Sequence, residues 1–143
     1  KSKFSKIAKI RKQKRETIER ELLRSQNKEK MLSHKIASLY EEIISIKMPQ
    51  NGAVSLLSLV GEQKKILNRD KKHYEHELQL AMVATQKLQV DYQKAHIEYE
   101  KIHYLEEQEL QAIIAKLKKE EQLALDEIST QLFANQMQKK VSQ

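Results

Sequence analysis

The sequence predicts an all-α fold: two long helices in an antiparallel coiled-coil hairpin with an overhanging C-terminal helix. Three observations predict it. The 143 residues include only two Gly and one Pro, while 33% are charged, a composition poor in turn-formers and rich in helix-formers. A single breaker, Met48-Pro49-Gln50-Asn51-Gly52, divides the chain into runs of about 46 and about 85 residues. On either side of it, apolar residues recur at alternating steps of three and four. We therefore expect one coiled-coil hairpin over residues 1–143, with helix 1 at about 2–47, a turn at 48–53 and helix 2 at about 54–138.

Helix 1 carries the seam Phe4, Ala8, Arg11, Arg15, Ile18, Leu22, Ser25, Glu29, Leu32, Ile36, Leu39, Ile43, Ile46, in which nine of thirteen positions are apolar. Its start is strongly basic. Residues 1–15 hold eight basic residues and no acidic one, whereas the chain from Met31 onward is close to neutral, so the net charge of +7 is a local device. Lys6, Lys9, Arg11, Lys12, Lys14 and Arg15 are the candidate contacts to an anionic partner. An anionic lipid surface or nucleic acid is one reading, with each Lys or Arg contributing roughly 1 kcal/mol near such a membrane. A solvated helix face or an acidic protein partner is the other, favoured because no aromatic interleaving or base-reading motif accompanies the lysines. Nucleic acid is accordingly not expected.

The turn follows from backbone chemistry. Pro49 disfavours helix at Met48, and Gly52 is able to take a left-handed conformation. Around it, Tyr40, Ile44, Met48, Leu56 and Leu59 cluster off the seam. They either close the end of the helix pair against water or form a patch for a partner.

Helix 2 continues the same rule through Leu57, Val60, Lys64, Leu67, Lys71, Tyr74, Leu78, Ala81, Thr85, Leu88, Tyr92, Ala95, Tyr99 and Ile102, with eleven of fourteen apolar or aromatic. Folding about the turn pairs residues whose numbers add to roughly 104. Ile43 is then expected opposite Val60, Ile36 opposite Leu67 and Leu22 opposite Ala81. Glu29 falls between Lys71 and Tyr74, and Arg11 and Arg15 face Tyr92 and Leu88.

After Ile102 the apolar positions fit best as Glu106, Leu110, Ile113 and Leu117, which reads as a stutter in the repeat. Helix 1 has run out of residues by then. Leu110, Ile113, Ile114, Leu117, Ala124, Leu125, Ile128 and Leu132 share about a third of the helical wheel. At 1.5 Å per residue the expected overhang is roughly 55 Å of a second helix roughly 125 Å long. A stripe of that kind is a binding site or an aggregation risk.

Other functions are poorly supported. No Gly-rich phosphate loop and no nucleophile beside a base in a known motif is present, and two helices enclose no pocket, so neither an enzyme nor a cofactor is expected. His73 and His76, and His96 and His103, share helix faces, but no motif supplies the remaining ligands of a zinc site, and solvent-facing histidines are expected. The absence of Cys fits a reducing compartment. The longest apolar stretch, around Ala53 to Val60, is far below the ~20 residues of a membrane span, and a soluble, cytoplasmic protein is the expectation.

The opening Phe4-Ser5-Lys6-Ile7-Ala8-Lys9-Ile10-Arg11-Lys12, the single mid-chain break, and the closing Leu125-Asp126-Glu127-Ile128 followed by Phe133 resemble the flagellar type III export protein FliJ family. The resemblance implies a fold similar to the two-helix gamma-subunit stalk of rotary ATPases. It implies a non-enzymatic coupling component that sits in the pore of the hexameric export ATPase, promotes ring assembly and activity, and serves flagellum biogenesis, motility and chemotaxis. It implies links to the transmembrane export-gate protein and to export chaperones, at the cytoplasmic face of the inner membrane, with peripheral contact to that membrane. On this resemblance Leu110, Ile113, Leu117, Leu125, Ile128 and Leu132 would bind the ATPase, and Tyr40, Ile44, Leu56 and Leu59 would meet the gate. A chain reserved for a ring would be monomeric alone. The alternatives are the equivalent stalk of a virulence injectisome, or a homodimeric coiled-coil scaffold with a basic end for nucleic acid or lipid.

Overall fold

The computed structural model describes residues 3–50 and 52–142 and contains two helices and no strand among them. Helix α1 runs Ser5–Ser45 and helix α2 runs Val54–Ser142. The fold is all-α, a helical hairpin. Lys1, Ser2 and Asn51, which enter the basic cluster, the expected helix start and the breaker, lie outside the described residues.

Helix α1 stops two residues earlier than its pattern suggests, and Pro49 explains where. A proline ring collides with the carbonyl four residues before it, which here is that of Ser45. The chain leaves the helix at that residue. The Ser45 hydroxyl donates to the Glu42 carbonyl at 2.8 Å, and the Ile46 N–H reaches the Ile43 carbonyl at 3.4 Å, tightening the last turn. Helix α2 starts on the Ala53 carbonyl, which accepts from the N–H groups of Leu56 and Leu57 at 2.9 and 3.3 Å. Its far end extends to Ser142, past the expected 138, with Lys139 and Lys140 in the last turn where cations complement the helix dipole. Gly52 does not take the left-handed conformation expected of it: no described residue has positive φ. The connection between the helices runs from 46 to 53. Gly52 instead lets Leu56 and Pro49 close in, since a Cβ there would lie 3.2 Å from Leu56 Cδ2.

The chain divides into two compact units, Lys12–Ile97 and Lys1–Arg11 with Glu98–Gln143. In the first, the hairpin is held by a single seam. Leu39, Ala81, Thr85 and Ala95 are buried, and Ile18, Leu22, Leu32, Ile36, Leu67, Leu78 and Leu88 are half-buried. Three of the four most covered positions of this seam are Ala or Thr, and small side chains allow two helices to approach closely. In the second unit, Ala8 and Ile102 are buried and Phe4 is half-buried.

The seam positions agree with the sequence pattern, but the register does not. All thirteen positions predicted in or after helix 1 are buried or half-buried, and of the fourteen in helix 2 only Leu57 is exposed. Within Lys12–Ile97, however, Ser25 meets Thr85, Arg15 meets His96, the Lys35 ammonium lies over the Tyr74 ring and that of Lys71 over Tyr40, pairs whose numbers add to about 110 rather than 104. The difference is close to one heptad. Glu29 therefore does not lie between Lys71 and Tyr74; Lys71 pairs with Glu75 at 3.6 Å. Arg15 meets His96 rather than Leu88, and Arg11, in the other unit, meets Glu98.

The stutter expected after Ile102 is not found there. After Ile102 the half-buried positions are His103, Glu106 and Glu109, and Glu106 and Glu109 continue the regular steps of four and three. Leu110 is exposed. The Lys3 backbone N–H donates to Glu109 Oε1 at 3.3 Å, so the last covered position is polar and anchors the chain start.

Candidate functional site

The long C-terminal stretch of α2 is the first candidate. From Leu110 to Val141 every residue is exposed. Leu110, Ile113, Leu117, Leu125, Ile128 and Leu132 are all among these, with exposures between 40% at Ile113 and 59% at Leu132, as on a helix with no neighbour on its apolar side. Ile114, Leu123, Phe133 and Met137 are exposed with them. Propensity and local bonds hold this stretch helical: Gln122 donates to Asp126 at 3.1 Å and the Thr130 hydroxyl to the Asp126 carbonyl at 2.8 Å. Nothing in its own unit covers the stripe.

The hairpin tip is the second candidate, and the register determines its shape. With pairs adding to about 110, Ser45 is level with about residue 65, so the opening turns of α2 run beyond the last residue of α1 and lie beside the connection. Val54, Leu56, Leu57 and Leu59 are exposed as a result, together with Tyr40, Ile44 and Met48. Leu57 belongs to the seam by spacing, yet no turn of α1 stands opposite it. Val54 and Leu57 are members of this patch that heptad reasoning missed; the signal that finds them is the lack of charge on either side of them. The tip is thus an open apolar patch rather than a closed end.

The basic first turns divide into two kinds of residue. In the unit containing the chain start, Lys6 and Lys9 are exposed, whereas Arg11 is half-buried and placed 3.1 Å from a Glu98 carboxylate oxygen while donating to the Glu98 carbonyl at 3.2 Å. In the hairpin unit, Lys12 and Lys14 are exposed, whereas Arg15 is half-buried and its Nη1 donates to His96 Nδ1 at 3.1 Å. A guanidinium has no acceptor, so His96 Nδ1 must carry a lone pair and the ring proton must sit on Nε2. Four lysines are available to an anionic partner; the two arginines serve the fold.

Two histidines expected to face solvent are partly covered. His96 stacks on Tyr92 with ring centroids 6.1 Å apart and 10° between planes. His103 stacks on Tyr99 at 5.4 Å, and its nitrogens lie 3.8 and 3.3 Å from the Glu106 and Glu107 carboxylates. The four-residue spacing of each Tyr and His brings the rings together on one helix face. Among the described residues no group of three or more His, Asp and Glu lies close enough to hold a metal ion, and no helix is long and apolar enough to cross a membrane. The groove lined by Arg24, Ser25, Lys28, Glu77, Leu80, Ala81 and Ala84 is an open flank of the seam.

The arrangement presents exposed apolar surface on α2 and at the tip, and exposed lysines in the first turns of α1. The family model described as "Flagellar FliJ protein" matches residues 1–138. No curated protein and no solved structure matches the chain.

Proposed function

This chain belongs to the flagellar FliJ family, a non-catalytic component of flagellar protein export, and we propose from that premise that it works as a stalk coupling the hexameric export ATPase to the membrane export gate. One observation carries the reading: the helix from Leu110 to Val141 keeps an apolar stripe with no cover in its own unit. A helix with so wide a stripe lowers its free energy by entering an apolar receptor, and a ring of ATPase subunits supplies a lining of that kind. Leu110, Ile113, Leu117, Leu125, Ile128 and Leu132 are its contacts, and their insertion promotes ring assembly and activity.

Tyr40, Ile44, Leu56 and Leu59 at the tip are directed to the export-gate protein, and empty export chaperones are received along the same stalk. Lys6, Lys9, Lys12 and Lys14 supply the attraction to acidic loops or to the cytoplasmic face of the inner membrane at the flagellar base. The flagellar match favours this system over the virulence injectisome.

Sedimentation of the export ATPase with and without the full chain tests the reading. We expect the isolated chain to sediment as a monomer and to raise the hexameric fraction of the ATPase. A stable homodimer that leaves the ATPase unaltered would favour the scaffold alternative, in which two such stripes cover each other.

A further inference from the structure

We propose that the hairpin tip enters the headgroup layer of an anionic lipid bilayer. This parts from the gate contact proposed above for Leu56 and Leu59, which it gives to lipid instead, and it stands on the tip alone. Residues 48–61 form a run without one charged side chain, in a chain of which one third is charged. Lys47 closes the run on one side and Lys64 and Lys65 on the other, with Glu62 the sole acid among them, and Glu62 lies 3.8 Å from Lys65. The tip is therefore apolar and its margin is positive. That is the charge pattern of a segment that sinks its apolar part and leaves cations at the level of the phosphates.

Geometry favours a bilayer over a protein groove. At ~100° per residue, the exposed Val54, Leu56, Leu57 and Leu59 spread over more than half of the helix circumference, and only the uncharged Ser55 and Ser58 fill the remainder. A groove on a partner takes one stripe; a liquid medium takes every side. Leu56 and Leu59 are exposed, and Ile44 at the end of α1 and Met48 in the connection add apolar surface. The stretch Val54 to Val60 is about 10 Å long, which matches the 5–10 Å depth of the headgroup and acyl boundary. No acidic residue stands in the first turn of α2, so its positive end repels no headgroup phosphate through a neighbouring carboxylate. The tip is too short to span, and insertion stops at the lysines.

The test is flotation of the full chain with phosphatidylcholine vesicles, with and without phosphatidylglycerol. We expect it to float with the anionic vesicles. Leu56→Ser with Leu59→Ser should weaken partition at least about tenfold, and Lys47→Gln with Lys64→Gln and Lys65→Gln about a hundredfold, with circular dichroism unchanged in both. Failure to float overturns the proposal, including the outcome in which the tip variants lose only the soluble domain of a gate protein or only self-association. Flotation that survives the tip variants but is lost with Gln at Lys6, Lys9, Lys12 and Lys14 overturns it as well, since the basic first turns would then be the membrane contact.

Discussion

Ser25 and Thr85, sixty positions apart, share a hydroxyl–hydroxyl hydrogen bond across the seam. The Thr85 hydroxyl already donates to the Ala81 carbonyl at 2.9 Å, so its one proton is engaged and Ser25 is the donor between the two. Thr85 is only 6% exposed. A buried polar layer of this kind contributes little net stability but penalises every register that leaves the hydroxyls unpaired. Thr85→Val, near in shape, should therefore cost about 1 kcal/mol by stranding Ser25. Adding Ser25→Ala should recover stability in thermal denaturation, and a double variant no better than the single one would deny the pairing.

The same pair reports register directly. The chain has no Cys, so engineered thiols have no background. Ser25→Cys with Thr85→Cys should oxidise readily to an intramolecular disulfide. Leu22→Cys with Ala81→Cys, the pair expected from a tight turn, should not, because those positions sit about one heptad out of step. Preferential crosslinking of the second pair would restore the shorter register.

Those two pairs explain what the sequence could and could not disclose. Which residues face the seam was readable from spacing alone, because a half-buried stripe has to recur at three and four. Which residue faces which was not, because sliding one helix by seven brings every seam position opposite another seam position. Only polar positions break that degeneracy, and Glu29 opposite Lys71 was as plausible on paper as Ser25 opposite Thr85. The tip follows from the same degeneracy: a turn at 48–53 with pairs adding to 104 puts Leu57 in the seam, whereas the connection at 46–53 and the shifted register leave it exposed beyond α1. The apolar stripe from Leu110 onward was legible from periodicity, since its reading required no partner within the chain.

Gly61 gives a prediction of opposite sign. It lies inside α2, its φ is not positive, and a Cβ built on it meets nothing within 4 Å. Gly61→Ala should raise stability by about 0.5–1 kcal/mol through helix propensity and a less free unfolded chain. A fall in melting temperature would show that the site needs its bare backbone.

Substitutions in the basic first turns should sort by burial. Gln at Lys6, Lys9, Lys12 and Lys14 should elute the chain from heparin at lower salt and leave the melting temperature nearly unchanged. Arg15→Gln should do the reverse, costing about 1 kcal/mol by removing the donor to His96, while loss of the Arg11–Glu98 pair, in which Glu98 is exposed, should cost less. Salt-insensitive retention on heparin would remove the electrostatic role of the lysines.

The central claim concerns Leu117 and Ile128, which are exposed on α2 with no neighbour in their own unit. The most direct measurement is the hydrolysis rate of the cognate export ATPase in the presence of the full chain carrying Leu117→Asp and Ile128→Asp. Because both side chains are exposed, helicity and melting temperature should stay near those of the unaltered chain, while stimulation of the ATPase should be lost. Undiminished stimulation by the doubly substituted chain would contradict insertion of this helix into the ring.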